Sequence, residues 1–386
     1  MSSRPEDYVR YRDAIADEPL PCAIVDLDVV EANAATLLRH TLEMPLRLAT
    51  KSIRCPELVE HIVAHGKLRG LMTYTARETA FWHERGVRDL LLAYPTAQRA
   101  DADLLARLGD AMVVADDVAH LEALSARARE HGTHVPIVVE VDLAYRPLGL
   151  GHLGVRRSPL RDVGDVVAFA KRVQNTPNLR FHGVMGYEAQ IAGVPDDPLV
   201  RRMKSRSRAD VAKRRAAVAE GLRAAGLSLH VFNGGGTGSL GSASREPHLT
   251  EVTAGSGFLD PHLFDRYDAL PLAPAIFFAL QVVRHPAPGF VTCLGGGYIA
   301  SGGAGKSRLP RPALPRGLSL LDREGAGEVQ TPLESKAPIP IGAPVFFRHA
   351  KAGELAEHFD HYLFVRGDRI VARAPTYRGL GACFLG

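Results

Sequence analysis

The first residue that could do chemistry is a lysine at the end of a short predicted strand. Lys51 closes the apolar strand predicted over Arg47–Lys51, and helical patterns flank it over Val29–Glu43 and Pro56–Gly66. Folds built from parallel strands place their chemistry at the carboxyl ends of those strands. A lysine there can be desolvated, lose its proton and form an imine with an aldehyde. Read alone, the position fits a solvated lysine better, so the assignment depends on the rest of the chain.

Two glycine-rich turns follow later strands and could bind an anion. The stretch Asn233–Ser239 follows the strand predicted over Leu229–Asn233, and Thr253–Gly257 follows the next strand. Glycine lets successive backbone N–H groups approach a phosphate, and Thr237 and Ser239 add hydroxyl donors. A pair of such turns after the last strands of a barrel is where that fold often holds a phosphate. We therefore predict that these two turns bind a phosphate group together.

Several other positions are ambiguous in their local context. His152 precedes a glycine and is most simply structural or solvated. Tyr187 follows the strand predicted over Arg180–Gly183 and is either a packing residue, a neighbour of a ligand ring or an acid–base group. Thr75 is a short hydroxyl donor beside the third strand. Arg156 and Arg157 either donate hydrogen bonds to an anion or are surface charges.

These residues are joined by a regular alternation of strands and helices. The predicted strands are Ala23–Leu27, Arg47–Lys51, Gly70–Thr73, Asp89–Ala93, Ala111–Ala115, Val135–Val141, Arg180–Gly183 and Leu229–Asn233, with Glu251–Ala254 as a candidate for a short ninth strand. The later helices are predicted over Ala76–Arg85, Arg99–Leu108, Asp116–His131, Leu160–Gln174 and Pro198–Ala225. About eight such pairs predict an α/β fold, a (β/α)8 barrel of the TIM type over residues 20–268. An open doubly wound sheet is the alternative, but no GxGxxG turn follows the first strand.

The chain changes character near residue 270. Prolines separate short β-rich runs, which include Ile276–Arg284, Gly289–Leu294, Pro344–Arg348, His361–Val365 and Arg369–Ala374. A basic, proline-rich loop covers Ser301–Pro315, and no convincing long helix follows Leu270. This pattern predicts a compact, mostly antiparallel β domain over residues 269–386, to which residues 1–19 are added.

The composition is that of an ordinary globular protein. The chain has 386 residues, of which 46% are hydrophobic and 23% charged, and its net charge is +4. This mild, dispersed charge does not indicate a nucleic-acid partner. The basic side chains of the predicted helix Pro198–Ala225, Lys204 and Arg215 among them, are interpreted as a solvated outer face because no aromatic residues are interleaved.

The cysteines and the hydropathy pattern bear on localisation. Cys22, Cys55, Cys293 and Cys383 are far apart and lack CxxC spacing, which argues against a disulfide framework and for a reducing cytoplasm. Residues 1–18 are polar and charged, unlike a signal peptide. Because no apolar run of about 18 residues occurs, no membrane span is predicted.

The order of these motifs resembles one enzyme family. Lys51, His152–Gly154, Gly186–Glu188, Gly235–Thr237 and Gly255–Ser256 follow one another as in the fold-type III pyridoxal-phosphate enzymes. The chain is most similar to the D-threonine aldolase and D-serine dehydratase-like group, which has an alanine-racemase-type barrel and a C-terminal β domain. The resemblance covers roughly residues 20–386.

The resemblance implies a cofactor, its ligands and an assembly. Lys51 would hold pyridoxal 5'-phosphate as an internal aldimine. The phosphate would be held by five residues of the glycine turns, namely Gly235, Gly236, Thr237, Gly255 and Ser256. Tyr187 and Thr75 would lie near the ring or the phosphate. A two-fold homodimer, in which one chain closes the pocket of the other, is implied as well.

The chain departs from the family pattern at two places. The family usually has an arginine that contacts the cofactor at the position of His152, and a histidine is not permanently charged. Family members also place a histidine and a cysteine or aspartate, two residues apart, near the last strand turn to bind a divalent metal. Tyr377 and Gly379 stand there in this chain and form a poor ligand set. We therefore expect no metal; a rebuilt site with His349 and His358 is the less favoured alternative.

The resemblance implies a lyase that cleaves a small β-hydroxy amino acid, most simply of D configuration, by retro-aldol or transaldol chemistry. His349, His358 and Tyr377 are candidate bases for the β-hydroxyl group, and Arg378 is a candidate partner of the substrate carboxylate. The segment from Arg348 to His358 is expected at the rim of the active site. A D-serine dehydratase or deaminase and an amino-acid racemase are the catalytic alternatives. A non-catalytic pyridoxal-phosphate carrier is the alternative of another class, but a second domain of over 100 residues argues against it.

Overall fold

The computed structural model describes residues 5–147, 151–268 and 270–385. Residues 1–4, 269 and 386 of the predicted β domain lie outside these ranges. The α-helices are Pro5–Ala14 (α1), Leu27–His40 (α2), Pro56–Gly66 (α3), Ala76–Glu84 (α4), Arg99–Leu108 (α5), Val118–His131 (α6), Val163–Asn175 (α7), Ala189–Ala192 (α8), Pro198–Ala224 (α9) and Leu240–Ala243 (α10). No helix in the described ranges is both long and apolar enough to cross a membrane.

Strands and helices alternate through the first two thirds of the chain, and strands dominate the remainder. The strands are Cys22–Asp26 (β1), Leu46–Ala49 (β2), Leu71–Thr73 (β3), Leu90–Leu92 (β4), Met112–Ala115 (β5), Val135–Glu140 (β6), Leu179–Met185 (β7), Val231–Gly234 (β8), Glu251–Ala254 (β9), Ile276–Arg284 (β10), Phe290–Leu294 (β11), Arg311–Leu314 (β12), Leu318–Leu320 (β13), Gln330–Ser335 (β14), Pro344–Arg348 (β15), His361–Arg366 (β16) and Arg369–Pro375 (β17).

Eight parallel strands close into a barrel, as predicted. Strands β2 to β9 follow one another in order, and β9 pairs with β2 through the register Leu46↔Val252. Every residue of β2, β5, β6 and β9 is buried. Helices cover the outer face of a parallel barrel, so its strands need apolar residues on both faces. The TIM-type barrel is therefore confirmed.

The prediction that Ala23–Leu27 is the first barrel strand was wrong. The structure places β1 in the other sheet, where it pairs antiparallel with β10 and parallel with β16. The barrel begins one strand later, at β2, and the short ninth strand of the prediction closes it. All five residues of β1 are buried. A fully buried run fits a barrel strand and a central strand of a covered sheet equally well, so its pattern alone did not separate them.

The C-terminal part forms the predicted, mostly antiparallel sheet. Its nine strands follow the order β13-β14-β11-β10-β1-β16-β17, while β15 pairs with β10 and β12. Helix α1 packs on this sheet through Tyr11, whose ring centroid lies 5.4 Å from that of Phe277 and 5.8 Å from that of Phe346. The division of the chain at residues 268 and 269 stays a prediction.

The barrel and the sheet domain touch at the turn that follows β2. The 3₁₀ turn Thr50–Ser52 lies against a second 3₁₀ turn, Gly353–Glu357, from the sheet domain. A Cβ atom added at Gly353 would lie only 1.9 Å from the carbonyl oxygen of Lys51. Only glycine allows this approach of the two backbones, so the sheet domain fixes the backbone that carries Lys51.

Candidate active site

Lys51 projects from the carboxyl end of the first barrel strand. It lies in the turn Thr50–Ser52, directly after β2. The Nε of Arg54 donates a hydrogen bond to the carbonyl oxygen of Lys51 at 3.0 Å, and the Nζ of Lys51 donates to the hydroxyl of Tyr94 at 2.7 Å. The backbone of this lysine is thus held while its amine is exposed and within reach of an incoming aldehyde.

A cavity of about 140 Å³ joins Lys51 to both predicted glycine turns. Seven of the predicted site residues line it: Lys51, Tyr187, Gly235, Gly236, Thr237, Gly255 and Ser256. They come from the ends of β2, β7, β8 and β9 and meet because the carboxyl ends of parallel strands lie at the same edge of a barrel. The spacing of these residues along the chain therefore predicted a real assembly in space.

Hydrogen bonds tie the two glycine turns to each other and to the lysine turn. The amide of Gly257 donates to Oγ1 of Thr237 at 3.1 Å, and the hydroxyls of Ser52 and Ser256 lie 3.2 Å apart. A Cβ atom at Gly255 would lie 2.7 Å from Oγ of Ser52. Small residues, hydroxyl groups and backbone amides thus form a cradle that suits a phosphate group.

The opposite wall of the cavity is aromatic and cationic. Tyr94 was not among the predicted site residues, and Arg157 had been left open between an anion donor and a surface charge. The guanidinium of Arg157 lies over the rings of Tyr94 and Tyr187, 5.4 Å and 5.3 Å from their centroids. Burial opposes ionisation of Tyr94, but Lys51 and Arg157 outweigh it, so the pKa of Tyr94 is lowered. Burial raises the pKa of Tyr187 to about 12. Tyr94 is therefore the more acidic of the two phenols.

A buried carboxylate supports the first glycine turn from behind. Oε2 of Glu188 accepts hydrogen bonds from the amide of Gly235 at 3.2 Å and from Arg215 at 2.5 Å, while Oε1 accepts from Ser239 at 2.7 Å.

The interpretation of α9 as a solvated basic face was wrong at two positions. Arg215 is 1% exposed, and so is Lys204, which donates to Asp196 at 2.7 Å. Their acidic partners lie outside the helix, so helical periodicity could not reveal them.

Two of the predicted cofactor contacts do not line the cavity. Thr75 caps α4, and its Oγ1 accepts a hydrogen bond from the amide of Glu78 at 3.1 Å. A nitrogen of His152 lies 3.1 Å from the carbonyl oxygen of Val155.

The cation that the segment around His152 brings to the cavity is Arg157, five residues after His152. The rule that strand ends carry function also points to Tyr94, which directly follows the strand predicted over Asp89–Ala93.

The four catalytic candidates from the sheet domain also lie outside the cavity lining. His349 is buried with one ring nitrogen 2.5 Å from the carbonyl oxygen of Lys351, and burial lowers its pKa. His358 stacks on Tyr298 at 4.5 Å. Arg378 is on the surface, where it donates to Asp360 at 3.1 Å. Within the segment expected at the rim, Arg348 to His358, residues 351–354 line a chamber that adjoins this cavity.

Tyr377 belongs to a buried hydrogen-bond network under the lysine turn. Its hydroxyl accepts a hydrogen bond from Nε1 of Trp82 at 2.8 Å and donates to Oε1 of Glu78 at 2.7 Å. Gly379, two residues later, has no room for a side chain, since a Cβ atom there would lie 1.8 Å from the carbonyl oxygen of Asp360. The phenol of Tyr377 is already hydrogen-bonded to two partners, and Gly379 has no side chain. Neither residue therefore suits a divalent metal as a ligand. No group of three or more potential metal ligands occurs in the described ranges.

Comparison with known proteins identifies the family. Residues 25–259, more than half of the chain, match the family described as alanine racemase, N-terminal domain. The chain belongs to the alanine racemase N-terminal domain family. Among its relatives, 3-hydroxy-D-aspartate aldolase of Paracoccus denitrificans (strain Pd 1222) is 30% identical over 288 residues, which cover 69% of each protein. D-threonine aldolase of Arthrobacter sp is 28% identical over 292 residues, covering 72% of this chain and 71% of the relative.

A solved structure supports the same fold over both domains. The crystal structure of D-threonine aldolase from Filomicrobium marinum superposes with a TM-score of 0.82 and covers 95% of this chain and 96% of that one. Its sequence identity is 21%, so this likeness supports the architecture alone. The alanine-racemase-type barrel and the C-terminal sheet expected from the sequence are thus confirmed.

Proposed function

We propose that this protein is a pyridoxal-phosphate-dependent lyase that acts on β-hydroxy amino acids of D configuration. One observation carries the proposal: Lys51 shares a single cavity with two glycine turns that are hydrogen-bonded to each other. A primary amine beside a phosphate cradle matches the aldehyde and the phosphate of this cofactor. The names of the two aldolase relatives support the substrate class.

The residues of the cavity have separable tasks in this proposal. When bound, pyridoxal phosphate acts as an electron sink that weakens the bonds of the amino-acid α-carbon. The Nζ of Lys51 is the point of covalent attachment, and the hydroxyls of Thr237 and Ser256 would hold the phosphate. The phenol of Tyr187 and the guanidinium of Arg157 would fix the plane of the ring.

Tyr94 replaces the predicted histidines as the candidate acid–base group. Its hydroxyl accepts the hydrogen bond of Lys51, and its pKa is lowered by Lys51 and Arg157 against the effect of burial. A phenol that ionises more readily than usual can accept the proton of a β-hydroxyl group. Loss of that proton lets the bond between the α- and β-carbons break, which releases an aldehyde, and protonation of the α-carbon then gives glycine. Loss of the α-proton and the β-hydroxyl as water, followed by hydrolysis of the C–N bond, instead gives a 2-oxo acid and ammonia.

The products of the purified holoenzyme test the proposal. We would incubate it with D-threonine, D-serine, 3-hydroxy-D-aspartate and their L-enantiomers and measure aldehyde, glycine, 2-oxo acid and ammonia. Aldehyde and glycine from D-substrates are expected. Ammonia with 2-oxo acid would assign the dehydratase alternative, and exchange of D- and L-forms alone would assign a racemase.

A lysine variant separates the enzyme from a mere carrier of the cofactor. Borohydride should fix the cofactor to the parent protein, and peptide mapping should find it on Lys51. Lys51→Ala should lose both this bond and product formation, whereas Lys67→Ala, in the loop before β3, should lose neither. A parent protein that binds the cofactor through Lys51 but releases no product from any substrate would favour the non-catalytic carrier.

Assembly and location complete the proposal. We infer a homodimer, which the family resemblance implies and which we test below. The four cysteines are all unpaired, three of them buried and Cys383 exposed. Free thiols persist in a reducing compartment, so they support a cytoplasmic location.

A further inference from the structure

The cavity that joins Lys51 to the glycine turns, called the inner cavity from here on, adjoins a second chamber that is strongly basic. This outer chamber has a volume of about 520 Å³ and shares Lys51, Ser52, Gly193, Ser256 and Phe264 with the inner cavity. Its lining contains six cationic side chains and one carboxylate. The cations are Lys51, Arg54, Arg266, Arg308, Arg311 and Lys351, and the carboxylate is that of Glu354. Any group that extends outward from the lysine therefore enters a positive field.

Most of these cations already have a partner. Arg54 pairs with Glu357 at 2.5 Å, Arg311 with Asp265 at 3.5 Å and Lys351 with Glu354 at 2.9 Å, Arg266 pairs with Asp197, and Lys51 donates to Tyr94. His262 also lines the chamber, but burial lowers its pKa to about 4, so it is neutral at physiological pH.

The only carboxylate among the described lining residues, that of Glu354, is already bound by Ser301. Both oxygens of Glu354 accept hydrogen bonds from Ser301, at 2.7 Å from its amide and 2.6 Å from its hydroxyl. Burial opposes ionisation of Glu354, but these bonds and Lys351 outweigh it and lower its pKa to about 2. Glu354 therefore stays ionised and anchors the loop at Ser301, and it does not neutralise the rest of the chamber.

Among the described residues, none supplies a counter-charge to Arg308. It is half-buried, none of the described residues forms an ion pair with it, and its Nε is buried without a hydrogen-bond partner. The guanidinium packs on Gly302, where an added Cβ would lie 3.0 Å from its Nε. A partly desolvated charge without a partner is unfavourable, and a carboxylate can satisfy a guanidinium with two parallel hydrogen bonds.

We propose that Arg308 binds a second carboxylate of the substrate, which makes the preferred substrate a 3-hydroxy dicarboxylic D-amino acid. This inference rests on the proposed function. The α-carboxylate is one bond from the α-carbon and stays near Lys51, where the two chambers join. Arg308 lines the outer chamber and not the inner one, so it faces the side chain of the substrate. The carboxylate at the far end of that side chain fits this place.

Kinetics with paired substrates provide the first test. We expect the parent enzyme to prefer 3-hydroxy-D-aspartate to D-threonine by at least about 10-fold in kcat/KM, as one charge-assisted bidentate contact allows. Arg308→Gln should lower kcat/KM for the dicarboxylate by about 10- to 100-fold and leave D-threonine within about 2-fold. Arg308→Lys should recover part of the loss. Lys306→Gln, which removes an exposed cation from the same turn, should behave as the parent.

Calorimetric binding keeps the test independent of turnover. D-aspartate lacks the hydroxyl that the reaction needs, and D-alanine is its match without the second carboxylate. The parent holoenzyme should bind D-aspartate more tightly than D-alanine, and Arg308→Gln should remove this difference. Equal weakening of both ligands would assign Arg308 to the α-carboxylate and overturn the inference, as would an equal effect of Lys306→Gln.

The two proposals fail in different ways. If no β-hydroxy amino acid is converted but D-aspartate binding still depends on Arg308, the proposed lyase function is wrong and the carboxylate site stands. If D-threonine is cleaved and Arg308→Gln changes neither the substrate preference nor D-aspartate binding, the lyase stands and the carboxylate site is wrong. A thermal melt of each variant verifies that it is folded.

Discussion

At the scale of single residues, Lys51 combines a fixed backbone with an exposed amine. Its carbonyl oxygen accepts a hydrogen bond from Arg54 and lies against Gly353, while its Nζ contacts the hydroxyl of Tyr94. Holding the backbone limits the positions that the amine can reach, which lowers the entropic cost of orienting it toward a cofactor. The amine itself remains accessible for covalent attachment.

If the two glycine turns hold the phosphate, removing their hydroxyl groups should lower the affinity for the cofactor. Thr237→Val combined with Ser256→Ala removes two hydroxyl donors to the phosphate, each worth about 1.5–3 kcal/mol when the acceptor is charged. We expect the dissociation constant for pyridoxal phosphate to rise by at least about 100-fold, as measured by titration of the apoprotein. Ser242→Ala is the matched control, because that hydroxyl donates to Ser239 and lies outside the cavity lining. Unchanged affinity in the double variant would refute the cradle.

The buried carboxyl group of Glu78 should make the free energy of unfolding depend on pH. Burial raises its pKa to about 7 from an ordinary value of 4.5, although hydrogen bonds from Thr50, Tyr377 and the amide of Tyr74 oppose this shift. The folded protein therefore holds the proton more tightly than the unfolded chain. The resulting stabilisation is complete below about pH 4.5 and is lost as the pH rises toward 7.

Glu78→Gln tests this contribution without removing the contacts. The amide oxygen of glutamine can accept the hydrogen bond from Tyr74, and its NH₂ can donate to Tyr377, but the group does not titrate. Between pH 5 and pH 8, the free energy of unfolding should fall less steeply in the variant than in the parent. Urea unfolding at several pH values measures both slopes. Parallel slopes would show that Glu78 is already ionised when the protein is folded.

The residues at the family's metal positions predict that activity survives a chelator. Tyr377 is committed to Trp82 and Glu78, and Gly379 carries no donor. Arg378, between them, adds a fixed positive charge that disfavours a nearby dication. Dialysis against EDTA should leave kcat/KM unchanged, and Mn²⁺ or Zn²⁺ should not raise it. Loss of activity that Mn²⁺ restores would contradict this and make His349 and His358 the first ligands to replace.

At the scale of secondary-structure elements, the contact between two short turns positions the backbone of Lys51. Gly353 leaves no room for a Cβ beside the carbonyl oxygen of Lys51. Gly353→Ala should therefore push the turns apart and lower kcat/KM by about 10-fold or more, since small misplacements of a reacting group are costly. Gly303→Ala is the control, because a Cβ there meets nothing within 4 Å. Equal activity in both variants would show that the turns move independently.

The sequence predicted most helices and barrel strands because their apolar spacing is local information. Helix α3 was predicted with its observed bounds, Pro56–Gly66, helped by proline in its first turn and by glycine at its end. Partners far apart in the chain were beyond such patterns. The pairing of β1 with β10 and β16 and the ion pair of Arg215 with Glu188 both depend on the tertiary fold.

The candidate site was predictable to the extent that it consists of strand ends. Lys51 and the glycine turns directly follow barrel strands, so their order in the chain fixed their common location. Arg157 comes from a long loop after β6, and Arg308 comes from the sheet domain. The direction in which a loop folds back depends on packing that no short motif encodes. The same reason explains why His349, His358 and Arg378 do not line the cavity.

At the scale of the whole molecule, the two domains together line the two adjoining cavities. The barrel supplies the inner cavity, whereas Lys351, Gly353 and Glu354 of the sheet domain line the outer chamber. In our proposal, the barrel holds the cofactor, and the sheet domain adds charged surface that selects the substrate.

Exposed apolar side chains on the sheet domain predict the surface through which two chains associate. Leu294, Ile299 and Val329 are 39%, 54% and 64% exposed, and the amide of Gly295 donates to the carbonyl oxygen of Val329, which places them in one neighbourhood. Ser301, which anchors Glu354 of the outer chamber, follows directly after this stretch. Apolar patches of this kind commonly mark interfaces, and a two-fold interface uses the same patch on both chains.

Light scattering tests the association and its link to function. We expect the parent to have twice the mass of one chain. Ile299→Glu combined with Val329→Glu should shift it to the monomer, because burying two carboxylates at an isologous interface places four like charges together. Leu199→Glu, at an exposed apolar position of α9, should stay dimeric.

Since the patch adjoins the loop that anchors Glu354, the monomeric variant should also lose kcat/KM for 3-hydroxy-D-aspartate. A parent that is monomeric at all concentrations and fully active would contradict the dimer, and a dimeric double variant would place the interface elsewhere.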